Sequence, residues 1–367
     1  MAISLLDDIR ALTPTIRKLA PQIEQDRAVP TALIEQLADL GVFKLAAPKE
    51  HGGLEAEPGL LVDVLEELGR ADGSTGWCAM VGAATGMAMA YLPAATAADL
   101  LRDPRLLIAG VAAPMGRATP VQDGYRVSGR WSFASACQHA TLLVGGMLTP
   151  KGPRLAVFDP AQLTIHDTWE VAGLRGTGSH DFSADDVFVP ADRTFSLAEP
   201  PRQTGPLYAL PALSLLALGI GAVALGIARA SIEEFGELAR SKRNPLTGET
   251  IAAKPAVRVA IAEATALHGA GLAYLRHSFT DDGAGADVRR RAALRLAIST
   301  ATRNAARAVD LVYNAAGGGA VYDTSPLQRH FRDVHVATQH AMVSGDVTEM
   351  AGAVLLGLTD PAALARL

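Results

Sequence analysis

Gln122-Asp123-Gly124-Tyr125-Arg126-Val127 and, one residue later, Gly129-Arg130-Trp131-Ser132-Phe133-Ala134-Ser135 interrupt a chain otherwise patterned for helices. The first reads as a hairpin turn leading into a strand, because turn formers give way to aromatic and β-branched residues. From about 106 to 196 short runs of this kind recur between turn signals, and Arg154-Leu155-Ala156-Val157-Phe158 stops at Asp159-Pro160. A small antiparallel β domain is the natural result.

Outward from that insert both flanks are helical. On the N-terminal side Leu5, Ile9, Leu12, Ile16, Leu19 and Ile23 recur in steps of four and three, which places them on one helical face that Pro14 disturbs locally. Pro30 and Gly41 bracket a second helix with Leu33, Ile34, Leu37 and Leu40 inward. A third runs from about Pro58 to Arg70, and the apolar segment from Trp77 to Leu92 makes a fourth. On the C-terminal side helical patterns span 211–243, 254–278, 287–314 and 326–357. Asp287 and Ser325-Pro326 supply starts and Gly317-Gly318-Gly319 a stop. Four long helices predict an antiparallel bundle. The expected architecture is mainly α with one small β domain: residues 1–105 helical, 106–200 β and 201–367 a four-helix bundle. Residues 197–206 and Asp281 to Ala286 look like linkers.

A chain of 367 residues, 49% of them hydrophobic, buries a large core and divides into two or three domains. Its formal net charge is -5 and its basic residues are scattered, so it carries no footprint for nucleic acid, and small molecules are the expected partners. Trp77 to Leu92 is shorter than the roughly 20 residues that span a bilayer. The stretch Leu207 to Ala228 is long enough, but it holds Pro211 and three glycines and runs on into Glu233, Glu234, Glu237 and Arg240, so it reads as a bundle helix. The opening MAISLLDDIRAL places two aspartates where a secretory leader carries basic and then apolar residues, which predicts a cytoplasmic protein. Cys78 and Cys137 match neither a disulfide framework nor a zinc site, and no metal is expected.

Five segments then carry a resemblance. They are Ala47-Pro48-Lys49-Glu50-His51-Gly52-Gly53-Leu54; Asp72-Gly73-Ser74-Thr75-Gly76-Trp77; Gly129 to Ser135; Gly173-Leu174-Arg175-Gly176-Thr177-Gly178-Ser179-His180-Asp181 before Val187-Phe188-Val189-Pro190; and Ala315-Ala316-Gly317-Gly318 followed by Pro326-Leu327-Gln328-Arg329, Arg332-Asp333-Val334-His335 and Gln339-His340. Spread in order over the whole chain, they resemble the acyl-CoA dehydrogenase superfamily. Within it they are most similar to the reduced-flavin-dependent monooxygenases, such as oxygenase components of 4-hydroxyphenylacetate hydroxylase. The resemblance implies reduced FMN or FAD delivered by a separate flavin reductase, oxygen as co-substrate, a small organic substrate and a homotetramer.

It also implies roles. Ser135 would face the flavin ring, although the family's usual glycine is here replaced by Ala136 and then Cys137. Thr177, Gly178 and Ser179 resemble a second flavin-side turn, where small residues admit the cofactor closely. Trp131 and Phe133 would wall the flavin, and Trp77 and His139 the substrate. Arg240, Arg243, Gly317 and Gly318 would hold the phosphate end, with a neighbouring subunit helping. His340 would be the proton donor, five residues past His335 and so roughly 140° around a continuous helix, which excludes a one-face metal pair. Each has a plainer reading: a strand serine, core aromatics, a satisfied core histidine, a solvated basic face. Cys137 reads as a buried filler, and Arg329 with Asp333 as an i, i+4 pair.

The rival is a true acyl-CoA dehydrogenase, which uses bound FAD and a glutamate base. The chain offers Gly345-Asp346 and Glu349 without an aromatic-glutamate-glycine signature.

Overall fold

The computed structural model describes residues 2–280 and 287–358, so the linker expected at Asp281 to Ala286 lies outside the described residues. Helices α1 (Ala2–Asp26), α2 (Thr31–Asp39), α3 (Pro58–Ala71), α4 (Gly73–Thr85) and α5 (Ala94–Leu101) form the N-terminal region. α1 absorbs both Pro14 and Pro21 without ending. It does so while keeping Ile9, Ile16 and Ile23 fully buried. The apolar run from Trp77 is shorter as an α-helix than its hydrophobicity suggests: it gives way to a tighter turn at Gly86–Ala90 and then to α5.

Seven strands follow: β1 (Ile108–Val121), β2 (Gly124–Ala134), β3 (Leu142–Thr149), β4 (Gly152–Phe158), β5 (Thr164–His166), β6 (His180–Pro190) and β7 (Thr194–Phe195). They make one sheet in the order β5-β6-β2-β1-β3-β4-β7. The hairpin at Gln122-Asp123 is present, closed by Val121 opposite Gly124 with Asp123 at φ 62°. The sheet is not purely antiparallel, because β1 runs parallel to β3, pairing Ile108 with Leu142. β1 and β3 are separated by β2, which pairs on the other edge of β1, so the chain must cross over to reach β3. The expected linker at 197–206 is tied down: Arg202 donates its backbone N–H to Ala90 and its Nε to Tyr91.

α6 (Ala212–Ser241), α7 (Pro255–Thr280) and α8 (Val288–Ala316) are long, whereas the fourth pattern is broken into α9 (Pro326–Thr338) and α10 (Gly345–Leu355). One continuous apolar core runs through both helical regions and the sheet. α6 is long and apolar enough to cross a membrane by length and composition alone, but 83% of its most apolar stretch is buried inside the protein. It packs against α3 so closely that a Cβ on Gly69 would stand 2.6 Å from the Val223 carbonyl oxygen.

Candidate active site

Two tight turns meet at the end of β2. Phe133 and Ala136 adopt φ of 68° and 61°, and Leu174 and Gly178 each 50°, a left-handed region that costs non-glycine residues about 1–3 kcal/mol apiece. The turns are joined by the Ala136 N–H donating to the Thr177 carbonyl at 2.8 Å. Ala136 therefore occupies, with strain, a backbone position suited to glycine.

The hydroxyls on these turns form a chain with one consistent proton direction. Thr177 Oγ1 donates to the Leu174 carbonyl at 2.8 Å, and a carbonyl can only accept. With its proton committed, Thr177 must accept from Ser179 Oγ at 2.6 Å. Ser179 must in turn accept from Ser135 Oγ at 2.7 Å. Ser135 accepts the Trp77 indole N–H at 3.1 Å. It has no proton left to give, and what it presents is a lone pair.

Asp72 caps α4, accepting from the backbone N–H of Thr75, and so positions Trp77 one turn into that helix. The Trp77 ring lies 5.8 Å from the His340 ring, tilted by 57°. His340 is not on a helix: α9 ends at Thr338, and His340 takes φ -67°, ψ 132° in the break before α10. The 140° argument against a metal pair therefore does not apply, since no continuous helix joins His335 to His340. Its Nδ1 accepts the Met342 N–H at 3.2 Å, which puts the neutral ring's proton on Nε2. Burial, with the Arg295 charge adding to it, pulls its pKa down to about 4. At neutral pH His340 is an uncharged N–H donor. Trp77 thus joins Ser135 to His340, the two residues singled out for chemistry.

The other expected residues divide. Trp131 does not line this site: it is fully buried, stacked on Phe182 at 4.8 Å, and donates its indole N–H to Gly146. Phe133 is 72% exposed, edge-on to Trp169, an open apolar surface next to Ser135. Cys78 and Cys137 approach the carbonyls of Thr177 and Gly178, and burial keeps both thiols protonated, Cys137 pushed up to about 11. His139 is half-buried against Val29, with Nε2 enclosed and unpartnered. Arg240 and Arg243 are exposed at the end of α6, beside the Gly317–Val321 turn, because Lys242 donates to the Ala316 carbonyl. That turn precedes α9 and His340 follows it. Between them runs α9, 13 residues or about 20 Å long.

Comparison with known proteins supplies the context. The chain is 33% identical to the indole-3-acetate monooxygenase of Acinetobacter baumannii (strain ATCC 19606), over 96% of this chain and 94% of that one. Residues 5–98 match the model of the acyl-CoA dehydrogenase N-terminal domain and residues 218–345 that of its C-terminal domain. The chain belongs to the acyl-CoA dehydrogenase family. It falls among that family's flavin-dependent monooxygenases. It is 29% identical to the FADH2-dependent resorcinol hydroxylase oxygenase component of a Rhizobium species (strain MTP-10005), covering 97% of this chain and 95% of that one. The crystal structure of the HsaA monooxygenase from Mycobacterium tuberculosis superimposes with a TM-score of 0.91 at 28% identity, over 99% of both chains.

The two carboxylates that the dehydrogenase rival could draw on, Asp346 and Glu349, are exposed on α10. Two buried features escape a reading of the sequence. Asp333 does not form an ion pair with Arg329 but accepts the Leu174 N–H at 2.5 Å, fixing the strained turn that carries Thr177 and Ser179. Burial and the nearby Asp72 charge raise its pKa to about 7. Arg295, beneath the His340 turn, is the other. The sequence signal for the break between α9 and α10 was Ser344 ahead of Gly345-Asp346, a helix start inside an apparently continuous pattern.

Proposed function

We propose that the chain is the oxygenase component of a two-component system, using reduced FMN or FAD from a separate reductase, and oxygen, to oxygenate a small, aromatic organic substrate. The observation that carries this is the Ser135–Trp77–His340 arrangement within the flavin-dependent monooxygenase family. The residues fit a flavin. Ser135 would accept from a ring N–H, the exposed Phe133 would cover one edge, and the small Thr177-Gly178-Ser179 turn would let the ring approach. When bound, reduced flavin supplies the two electrons that activate oxygen. The protein's part is to exclude water with Trp77 and its apolar neighbours and to hold a proton on His340 Nε2. His139 would touch substrate.

In a homotetramer a neighbouring copy would hold the phosphate end through Arg240, Arg243, Gly317 and Gly318. A cytoplasmic setting completes the proposal. His340→Ala tests the central role: product formed per reduced flavin should fall by roughly 10²–10⁴-fold while reduced-flavin affinity changes little. Undiminished coupling of flavin oxidation to product would remove His340 from the mechanism.

A further inference from the structure

Beneath the His340 turn lies a cation with no acid partner among the described residues. Arg295, on α8, is 3% exposed. Its two terminal nitrogens donate to the carbonyls of Leu213 and Met342, each at 3.1 Å, and its Nε is buried without a partner. Burial lowers its pKa and no carboxylate opposes that shift. By contrast Arg70, also largely enclosed, meets both Glu67 and Glu233. A guanidinium taken out of water carries a large desolvation penalty that neutral carbonyls offset only in part.

Three features converge on the same place. The 30-residue α6 begins after Pro211 with no capping side chain; the Ser214 N–H donates to the Pro211 carbonyl, but the N–H groups of Ala212 and Leu213 have no partner among the described residues and the positive end of the dipole is uncompensated. Ser214, in that first turn, is fully buried and its hydroxyl has no partner. Ser299, one helical turn beyond Arg295 on α8, is likewise fully buried and unpartnered. The bond to Leu213 sets the guanidinium against the start of α6. The bond to Met342 sets it two residues from His340. Ala212 and Leu213 are only half-buried, so the helix start is open to approach.

We propose that Arg295, Ser214 and the first turn of α6 anchor the carboxylate of the substrate, so that the enzyme acts on small aromatic acids rather than neutral aromatics. This rests on the monooxygenase reading and names the substrate class for it. A carboxylate there supplies the missing negative charge, accepts from the free guanidinium N–H groups and the helix N–H groups, and leaves the far end of the molecule as the end to be oxygenated.

The test is anaerobic calorimetry on protein loaded with reduced flavin, comparing phenylacetate with phenylacetamide, two probes of one shape that differ in charge. Wild type should prefer phenylacetate by roughly 10- to 100-fold. Arg295→Met should erase that preference while affinities for phenylacetamide and reduced flavin stay within about threefold, and Arg295→Lys should keep part of it. Should Arg295→Met fail to fold, Ser214→Ala is expected to lower the preference several-fold. Equal binding of the two probes by wild type, an undiminished preference in Arg295→Met, or binding of neither probe to flavin-loaded protein would overturn the anchor and leave the monooxygenase reading standing. Failure to bind reduced flavin at all would overturn both.

Discussion

Ser135 is defined by what it cannot do. Because the Leu174 carbonyl fixes the direction of the hydroxyl chain, Ser135 offers a lone pair. Reduced flavin carries an N–H at N5 where oxidised flavin carries a lone pair, so the proposed arrangement favours the reduced form. Ser179→Ala removes the acceptor and frees the Ser135 proton. The ratio of reduced- to oxidised-flavin affinity, from paired titrations, should then narrow by about tenfold, and an unchanged ratio would mean the protons run otherwise. His340 gives a second expectation. With its pKa pulled down to about 4 by burial and Arg295, the acid limb of turnover assigned to it lies near pH 4, not near the unperturbed value of about 6.5. Ser135 and His340 were legible from their motifs. Their connection through Trp77 was not, because the indole-to-hydroxyl bond spans 58 residues and only the fold brings its ends together. Trp131 was misplaced for a related reason: a strand alternates its faces, and nothing local told the sheet core from the flavin side.

At the scale of elements, α9 acts as a clamp on the flavin-side turn. Gly173 packs so tightly on it that a Cβ would come within 2.4 Å of the Arg332 carbonyl group, and Asp333 holds the Leu174 N–H. The buried Asp333 keeps its proton up to about pH 7, with Asp72 opposing ionisation and Arg329 and Arg332 favouring it. The unfolded carboxyl ionises near pH 4, so between about 4 and 7 the folded state binds more protons and stability falls as pH rises. Asp333→Asn keeps an acceptor without a titrating proton. Its melting temperature should be flat across that window where the wild type loses a few degrees, and parallel curves would show that Asp333 is not the group responsible. Ala136 makes a smaller test. Since it sits at φ 61°, Ala136→Gly should leave stability unchanged or raise it by up to about 1 kcal/mol, where glycine in an ordinary strand or helix destabilises. The helices themselves were readable because periodicity is local, and most predicted spans end within a few residues of the observed ones. The β1–β3 parallel pairing and the α9–α10 break were not, since one depends on long-range register and the other on a short interruption, residues 339–344, that hydrophobic spacing does not register.

For the whole molecule, the proposed cofactor residues fall into two sets, one around Ser135 and His340 and the other, Arg240 and Arg243, exposed at the end of α6. Asp346 and Glu349 on α10 are exposed, and it is His340 that lies against Trp77. The most direct test is anaerobic titration of the purified protein with reduced FMN and reduced FAD, followed by rapid mixing with oxygenated buffer while the absorbance is followed. Tight binding of reduced flavin, weak binding of the oxidised form and a transient species distinct from both is the predicted result. Tight binding of oxidised FAD, with bleaching by an acyl-CoA and no transient on mixing with oxygen, would contradict it.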